Sequence, residues 1–82
     1  MTNEEIAEML TKELALHEVK VKSEGTHFQI MAIDDRFDDM SRVKRQQLVF
    51  APLSDLIADG TIHAVTIKTF STAQWQRDKL FN

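Results

Sequence analysis

Two histidines stand at the heads of segments with β-strand character, and their side chains are the best candidates in this sequence for metal binding. His63 lies in IHAVTIKTF, where it alternates in register with Val65 and Ile67. His27 lies at the start of HFQIMAI. A neutral imidazole is a common metal ligand. A histidine in register with apolar residues can equally be a partly buried side chain that bonds a backbone carbonyl, so the spacing leaves both interpretations of His63 open.

The sequence contains no cysteine. This excludes a disulfide scaffold, a thiol nucleophile, a zinc site built on thiolates and an iron–sulfur site held only by the chain's own cysteines. A thiophilic metal bound here would therefore need sulfur ligands from a partner. Four acids could suggest calcium, but they lack the spacing of a calcium-binding loop, and we interpret them as a loop. They are Asp34, Asp35, Asp38 and Asp39.

Composition narrows the class of protein further. Hydrophobic residues make up 43% and charged residues 28%, which is typical of one small globular domain, here residues 1–82. A net charge of −3 disfavours a strong non-specific nucleic-acid binder, because such affinity comes mainly from neutralising phosphates. The sequence has no apolar run of the ~18 residues that span a bilayer and no secretory signal at MTNEEIAEML, so we expect a cytoplasmic protein. No catalytic fingerprint occurs, so we expect no enzyme.

The elements that position the two histidines can be predicted from caps and periodicity. A helix is predicted from about Asn3 to Leu16, because Thr2 and Glu5 have the spacing of a capping box. A hairpin follows, with alternating valines and lysines in its first strand and a turn at Gly25-Thr26. Its second strand is apolar on nearly both sides, which predicts a central place in the sheet.

The crossover after this hairpin is predicted to carry two helices. The first is amphipathic, and its apolar spacing gives Met40, Val43, Gln47 and Phe50 a common inner face. Pro52 begins the next helix and Gly60 ends it. The last strand is predicted at residues 62–70, and a second capping box, Ser71 with Gln74, starts a final helix.

The order of elements predicts an α+β, two-layer sandwich with the sequence αββααβ(α). The first two strands are antiparallel through their short loop, and the long helical crossover favours a parallel third strand. The result is a three-stranded mixed sheet with helices on one face. Parallel neighbours start at the same edge of a sheet, so we expect His27 and His63 to lie at one edge although they are 36 residues apart.

Four segments in this order resemble the BolA family, in particular its short IbaG-type branch. They are THFQI, RFDDMSRVKRQQLVFAPL, IHAVTIKTF and STAQW. The resemblance implies a fold similar to a class II KH domain. Three positions depart from the family pattern: Asp39 replaces a common glycine, Arg45-Gln46-Gln47 replaces Arg-His-Arg, and Gly25 stands near the place where some relatives have a cysteine ligand.

The resemblance also implies a partner and a cofactor. BolA-family proteins pair with monothiol, CGFS-type glutaredoxins and share a 2Fe–2S cluster, to which the glutaredoxin and glutathione bring thiolates. The histidine of the IHA motif, here His63, is then an iron ligand, and His27 is the candidate for a second. Imidazole raises the potential of such clusters, as in Rieske centres. The family is also linked to acid stress, iron homeostasis and transcriptional control.

A basic cluster offers an alternative function. It consists of Arg36, Arg42, Lys44 and Arg45. It can be an ordinary solvated helix face, a docking surface for an acidic partner, or the surface of a KH-like, DNA-binding transcriptional regulator. So few charges would give weak, salt-sensitive binding, and the phosphate-clamping G-x-x-G loop of KH domains is missing. A homodimer of the free protein, formed through the same exposed edge, is a further possibility.

Overall fold

The computed structural model describes residues 2–25 and 27–81, with side chains described as far as Asp78. Its helices are α1 (Asn3–Leu14), α2 (Arg42–Phe50), α3 (Ser54–Ala58) and α4 (Thr72–Phe81), and its strands are β1 (Glu18–Glu24), β2 (His27–Ile33) and β3 (Ala64–Phe70). Short 3-10 turns span Asp35–Asp39 and Ala51–Leu53. Gly25 begins the predicted hairpin turn with φ +60°, and Thr26 lies outside the described residues. No described helix is long and apolar enough to cross a membrane.

The predicted capping box starts α1. The Glu5 N–H donates to Thr2 Oγ1 at 3.1 Å, and the Thr2 N–H donates to Glu5 Oε1 at 3.0 Å. The helix ends two residues before the predicted end, because Ala15 adopts the left-handed conformation with φ 52° and ψ 46°. Leu16 is still buried, so its apolar character reflects packing after the helix has ended.

The sheet has the predicted order and directions. Strand β2 lies between the other two, antiparallel to β1 and parallel to β3. Helices α1 to α3 cover one face. The core there includes Ile6, Leu10, Ile30, Phe37, Val49, Leu53 and Ile62, all fully buried. The three-stranded mixed sheet of an α+β sandwich is therefore confirmed.

The opposite face of the sheet is covered at one end only. Met31 and Ile33 point to this face by alternation from Ile30, and both are buried. Trp75 of α4 packs beside Phe70 there, with ring centroids 5.4 Å apart. The other end of this face, where β2 begins, is lined by polar side chains, so the sheet surface near His27 is accessible to solvent.

The predicted inner face of α2 is wrong. Val43 is 65% exposed and Phe50 is 41% exposed, whereas Val49 is fully buried. The side chain that faces the sheet one turn before Val49 is Gln46, whose Nε2 donates to the Ile67 carbonyl at 2.8 Å. The hydrophobic pattern does not predict this buried face, because one of its inner positions is the polar Gln46. Gln46 can face inward because its amide donates a hydrogen bond to a sheet carbonyl instead of to water.

Strand β3 begins two residues after its predicted start. Ile62 is fully buried, and its N–H donates to the Leu56 carbonyl at 3.1 Å. It therefore closes the end of α3 and does not pair in the sheet. Gly60 has φ +85°, and its N–H donates to the Ile57 carbonyl, which confirms that it terminates α3. His63 consequently lies between the α3 terminus and the strand.

Candidate functional site

His63 lies one residue before β3, and its side chain is exposed. Because it lies outside the strand, the alternation of β3 does not direct it toward the core with Val65 and Ile67. Within residues 2–25 and 27–81 its side chain makes no hydrogen bond or ion pair. The interpretation of His63 as a partly buried histidine bonded to a carbonyl is therefore wrong, and its imidazole is available to a partner.

His27 is the first residue of β2 and is also exposed. The sheet register places it opposite Glu24 on β1 and Ala64 on β3. Its Nε2 lies 3.0 Å from Thr66 Oγ1, so one ring nitrogen already has a partner. An open groove surrounds it on the sheet face that α4 leaves uncovered. We call this the His27 groove; it is lined by Lys22, Ser23, Glu24, His27, Gln29 and Thr66.

The prediction that the two histidines lie at the same edge of the sheet, the one at which β2 and β3 begin, is confirmed. The register partner of His27 is Ala64, the residue that directly follows His63. This depends on parallel pairing, because an antiparallel β3 would carry His63 to the opposite edge.

The two imidazoles alone are an incomplete metal site. Among the described residues, no three histidine, cysteine or acidic side chains cluster in a way that could hold a metal ion. Of the residues that the structure describes, His27 and His63 are the two that place nitrogen ligands at this edge, and His63 is the one whose ring nitrogens have no described partner. Such a donor set fits a metal group whose other ligands come from elsewhere.

The four residues of the predicted basic cluster have different surroundings. Arg42 and Lys44 are exposed in the first turn of α2. Arg45 is partly buried, and its Nε donates to the Met40 carbonyl at 3.1 Å. The Arg36 guanidinium donates to the Leu14 and Ala15 carbonyls at the end of α1 and contacts Asp34. Two of the four cations thus have structural partners inside the domain.

The acids of the connecting loop have structural roles. The Asp34 side chain accepts hydrogen bonds from the Arg36 and His17 backbone N–H groups. Partial burial raises the pKa of Asp34, but hydrogen bonds from Arg36 and His17 outweigh it and hold the pKa below the ordinary value. Hydrogen bonds from the side chain and backbone of Thr72 lower the pKa of Asp35. These bonds join the loop to α1 and α4, in agreement with its interpretation as a loop.

A second groove lies at the far end of β3, between α2 and α4, and it was not predicted. We call it the β3 groove; its polar lining is Arg42, Arg45, Gln46, Lys68, Thr69, Gln74, Arg77 and Asp78. Lys68 and Arg77 were missed because neither forms part of a basic cluster in the sequence. Only the packing of three elements brings them beside the arginines of α2.

Comparisons with known proteins agree with this fold. The acid stress protein IbaG of Escherichia coli K12 is 50% identical over 82 residues, covering 100% of this chain and 98% of the relative. The solution structure of mouse BolA1 superposes with a TM-score of 0.76 at 29% identity, covering 94% of this chain and 70% of the other. The BolA domain of SufE1 from Arabidopsis thaliana gives 0.71 at 31% identity, covering 87% and 92%.

The family assignment follows from matches of both sequence and fold. The family model described as BolA-like protein matches residues 5–74, a range that includes β1, β2, the α2–α3 crossover and β3. The matched range contains His27, His63 and both grooves except for Arg77 and Asp78. These matches confirm the resemblance drawn from the sequence, and the chain belongs to the BolA-like protein family.

Proposed function

We propose that this protein is a non-enzymatic adaptor that binds a monothiol, CGFS-type glutaredoxin and shares a 2Fe–2S cluster with it and with glutathione. The observation that carries the proposal is His63, an exposed imidazole without a hydrogen-bond partner among the described residues, at the edge where β2 and β3 both begin. Since the chain has no cysteine, thiolate ligands would come from the other two components.

His63 would be the first ligand and His27 the candidate for a second. When bound, the cluster supplies a one-electron redox centre or a transferable iron–sulfur unit. The chain's own contribution is to hold imidazole nitrogens at an open edge. The Thr66 hydroxyl, 3.0 Å from His27 Nε2, would fix the orientation of the His27 ring, as partners of metal-binding histidines commonly do.

We further propose that the adaptor acts in iron homeostasis or the acid-stress response of the cytoplasm. The relative in E. coli is named an acid stress protein, which supports this process. Ligand chemistry supports it too, because imidazole binds metal only when neutral. Mild acid would then weaken cluster binding, and loss of the cluster would report the change of pH.

The alternative, a DNA-binding regulator acting through α2, has less support. Of its four basic residues, Arg36 is bonded to the end of α1 and Arg45 to the Met40 carbonyl. Arg42 and Lys44 remain as exposed charges. Two phosphate contacts give little affinity at physiological salt, and the overall charge of −3 opposes approach to DNA.

The test is anaerobic reconstitution of the protein with a CGFS glutaredoxin, glutathione, iron and sulfide. We expect visible absorption and circular dichroism of a mixed complex, and we expect His63→Ala to change both spectra and release the cluster about tenfold faster or more. His17→Ala is the matched control, because His17 is also exposed but lies just after α1.

Binding of the glutaredoxin without cluster, measured by calorimetry, separates docking from ligation. The ligand assignment is wrong if His63→Ala binds the glutaredoxin normally and gives unchanged spectra. The adaptor proposal itself is wrong if the unsubstituted protein binds glutaredoxin neither with nor without the cluster.

A further inference from the structure

Strand β3 is an edge strand, and one of its sides is not paired in the sheet. The strand order is β1-β2-β3, so only the side toward β2 is used among the described residues. Backbone groups of successive residues point alternately to the two sides of a strand. The Phe70 carbonyl accepts from the Asp34 N–H at 3.0 Å on the β2 side. Even-numbered residues of β3 therefore pair inward, and Val65, Ile67 and Thr69 point their backbone groups outward.

The position of Gln46 supports this assignment of the outer edge. Its side-chain amide, on α2, donates to the Ile67 carbonyl at 2.8 Å, as expected for a carbonyl that is not turned toward β2. This amide bonds one outward group. Within the described residues, the outward N–H groups of Ile67 and Thr69 and the carbonyl of Thr69 have no protein partner. Unpaired edges of this kind accept an additional strand.

The β3 groove surrounds this free edge with positive charge on both sides. Arg42 and Arg45 lie on the α2 side, where Arg45 keeps its positive charge although its Nε donates to the Met40 carbonyl. Lys68 and Arg77 lie on the side of the opposite sheet face and α4. Asp78 also lines the groove. Its single negative charge is outnumbered by the four cations, so the groove carries an excess of positive charge. The groove follows Ile67 to Phe70, about 13 Å of strand at roughly 3.3 Å per residue.

We propose that the β3 groove binds an extended acidic peptide segment of a partner protein, which pairs with β3 as a fourth strand. Side chains of an added strand alternate between two sides, and both sides of this groove have a pair of cations. The fitting segment therefore has adjacent acidic residues, so that each side receives carboxylates. Main-chain hydrogen bonds would supply affinity, and charge would supply selectivity and a fast association rate.

Charge and backbone geometry disfavour two other occupants. A second copy of this chain would bring the same four cations to the groove, and like charges across an interface are costly. A nucleic acid matches the charge, but it has no repeating N–H and C=O groups with which to pair the outward groups of β3. The groove also lies at the opposite end of β3 from His63, so the proposal does not depend on the cluster.

The test uses a fluorescent eight-residue peptide in which Glu-Glu pairs are separated by valines, titrated into the full chain at 150 mM salt. We expect saturable binding by anisotropy and slower amide exchange at Ile67 and Thr69 by NMR. The Lys68 amide, already turned toward β2, is the internal reference. Two control peptides of the same sequence are N-methylated at alternate residues, one at the odd positions and the other at the even positions. One of the two should bind at least about tenfold more weakly, because it loses the main-chain hydrogen bonds to β3.

Charge reversal at matched positions tests the groove itself. Arg42→Glu and Arg77→Glu should each weaken binding about threefold to tenfold. Lys44→Glu is the control, because it changes net charge equally in the same turn of α2 but does not line the groove; it should change affinity less than about twofold.

Three results would overturn the proposal. The first is binding in which amide exchange at Ile67 and Thr69 is unchanged, or in which both N-methylated peptides bind normally. The second is a 12-nucleotide single-stranded nucleic acid that binds the groove with higher affinity than the peptide does, which would make the groove a nucleic-acid surface. The third is a homodimer, seen by light scattering, that protects the same two amides and excludes the peptide.

Discussion

Arg36 shows how one side chain can join separate parts of this domain. Its guanidinium donates to the Leu14 and Ala15 carbonyls where α1 ends, and its Nε lies 3.3 Å from Asp34 Oδ1. The last carbonyls of a helix have no partner within the helix, and a cation there also interacts favourably with the helix dipole. Arg36 therefore stabilises the left-handed end of α1 and links it to the loop after β2.

Replacing Arg36 should destabilise the fold without affecting either groove. We expect Arg36→Ala to lower the free energy of unfolding by roughly 1–3 kcal/mol, because it leaves helix carbonyls and Asp34 without their charged donor. Urea denaturation followed by the fluorescence of Trp75, the only tryptophan, measures the change. Lys44→Ala removes an equal charge from an exposed site and should change stability by less than about 0.5 kcal/mol. Equal losses in the two variants would contradict the assignment.

At the scale of elements, α2 is the segment whose orientation sets both the core and the β3 groove. Its buried side is built on Gln46 and Val49, so the helix turns Val43 toward solvent. The same rotation places Arg42 and Arg45 beside the edge of β3. If Val43 faced inward instead, the groove would lose its cations on that side.

The same substitution, valine to alanine, at two positions of α2 tests this orientation. Val49→Ala should lower the free energy of unfolding by about 2–3 kcal/mol, since it removes two buried methyl groups and leaves a cavity. Val43→Ala should be neutral within about 0.5 kcal/mol or slightly stabilising, because alanine has the higher helix propensity. Thermal or urea unfolding of the pair gives the answer, and a larger loss at Val43 would show that the hydrophobic pattern had indicated the right face after all.

At the scale of the whole molecule, several hydrogen-bonded carboxylates make stability depend on pH. The pKa of Glu5, Asp35 and Asp59 is lowered by hydrogen bonds from Thr2, Thr72 and Thr61, and that of Asp34 is lowered as described above. A carboxylate with a lowered folded-state pKa stabilises the fold above its unfolded pKa, about 3.9 for Asp and 4.3 for Glu. Its contribution is lost as the pH falls through the folded pKa.

We therefore expect these four carboxylates to keep their contribution to the free energy of unfolding from pH 7 down to about pH 5. This contribution is lost progressively below about pH 4. Urea titrations at pH 7, 5, 4 and 3 measure this. Asp35→Asn keeps an oxygen acceptor for Thr72 but cannot titrate, so it should reduce the decline between pH 4 and 3. A decline that is complete by pH 5 would show that other groups control acid stability.

The sequence by itself determined the order of elements, both capping boxes, the termination of α3 at Gly60 and the parallel pairing of β2 with β3. These follow from interactions between residues close in the chain and from the length of one crossover, so local patterns are enough to predict them. The parallel pairing also brought His27 and His63 to one edge. Two element boundaries were predicted two residues too long, because Leu16 and Ile62 are apolar and buried although neither belongs to a regular element.

Tertiary structure decided the environments of the candidate residues. Whether His63 is buried depended on β3 starting after it, and this start is set by the contact of Ile62 with the end of α3. The face of α2 depended on a glutamine that bonds a sheet carbonyl 21 residues away. The β3 groove required Lys68 and Arg77 to meet the arginines of α2. Each of these outcomes is an interaction between elements distant in the chain, and hydrophobic periodicity carries no information about such partners.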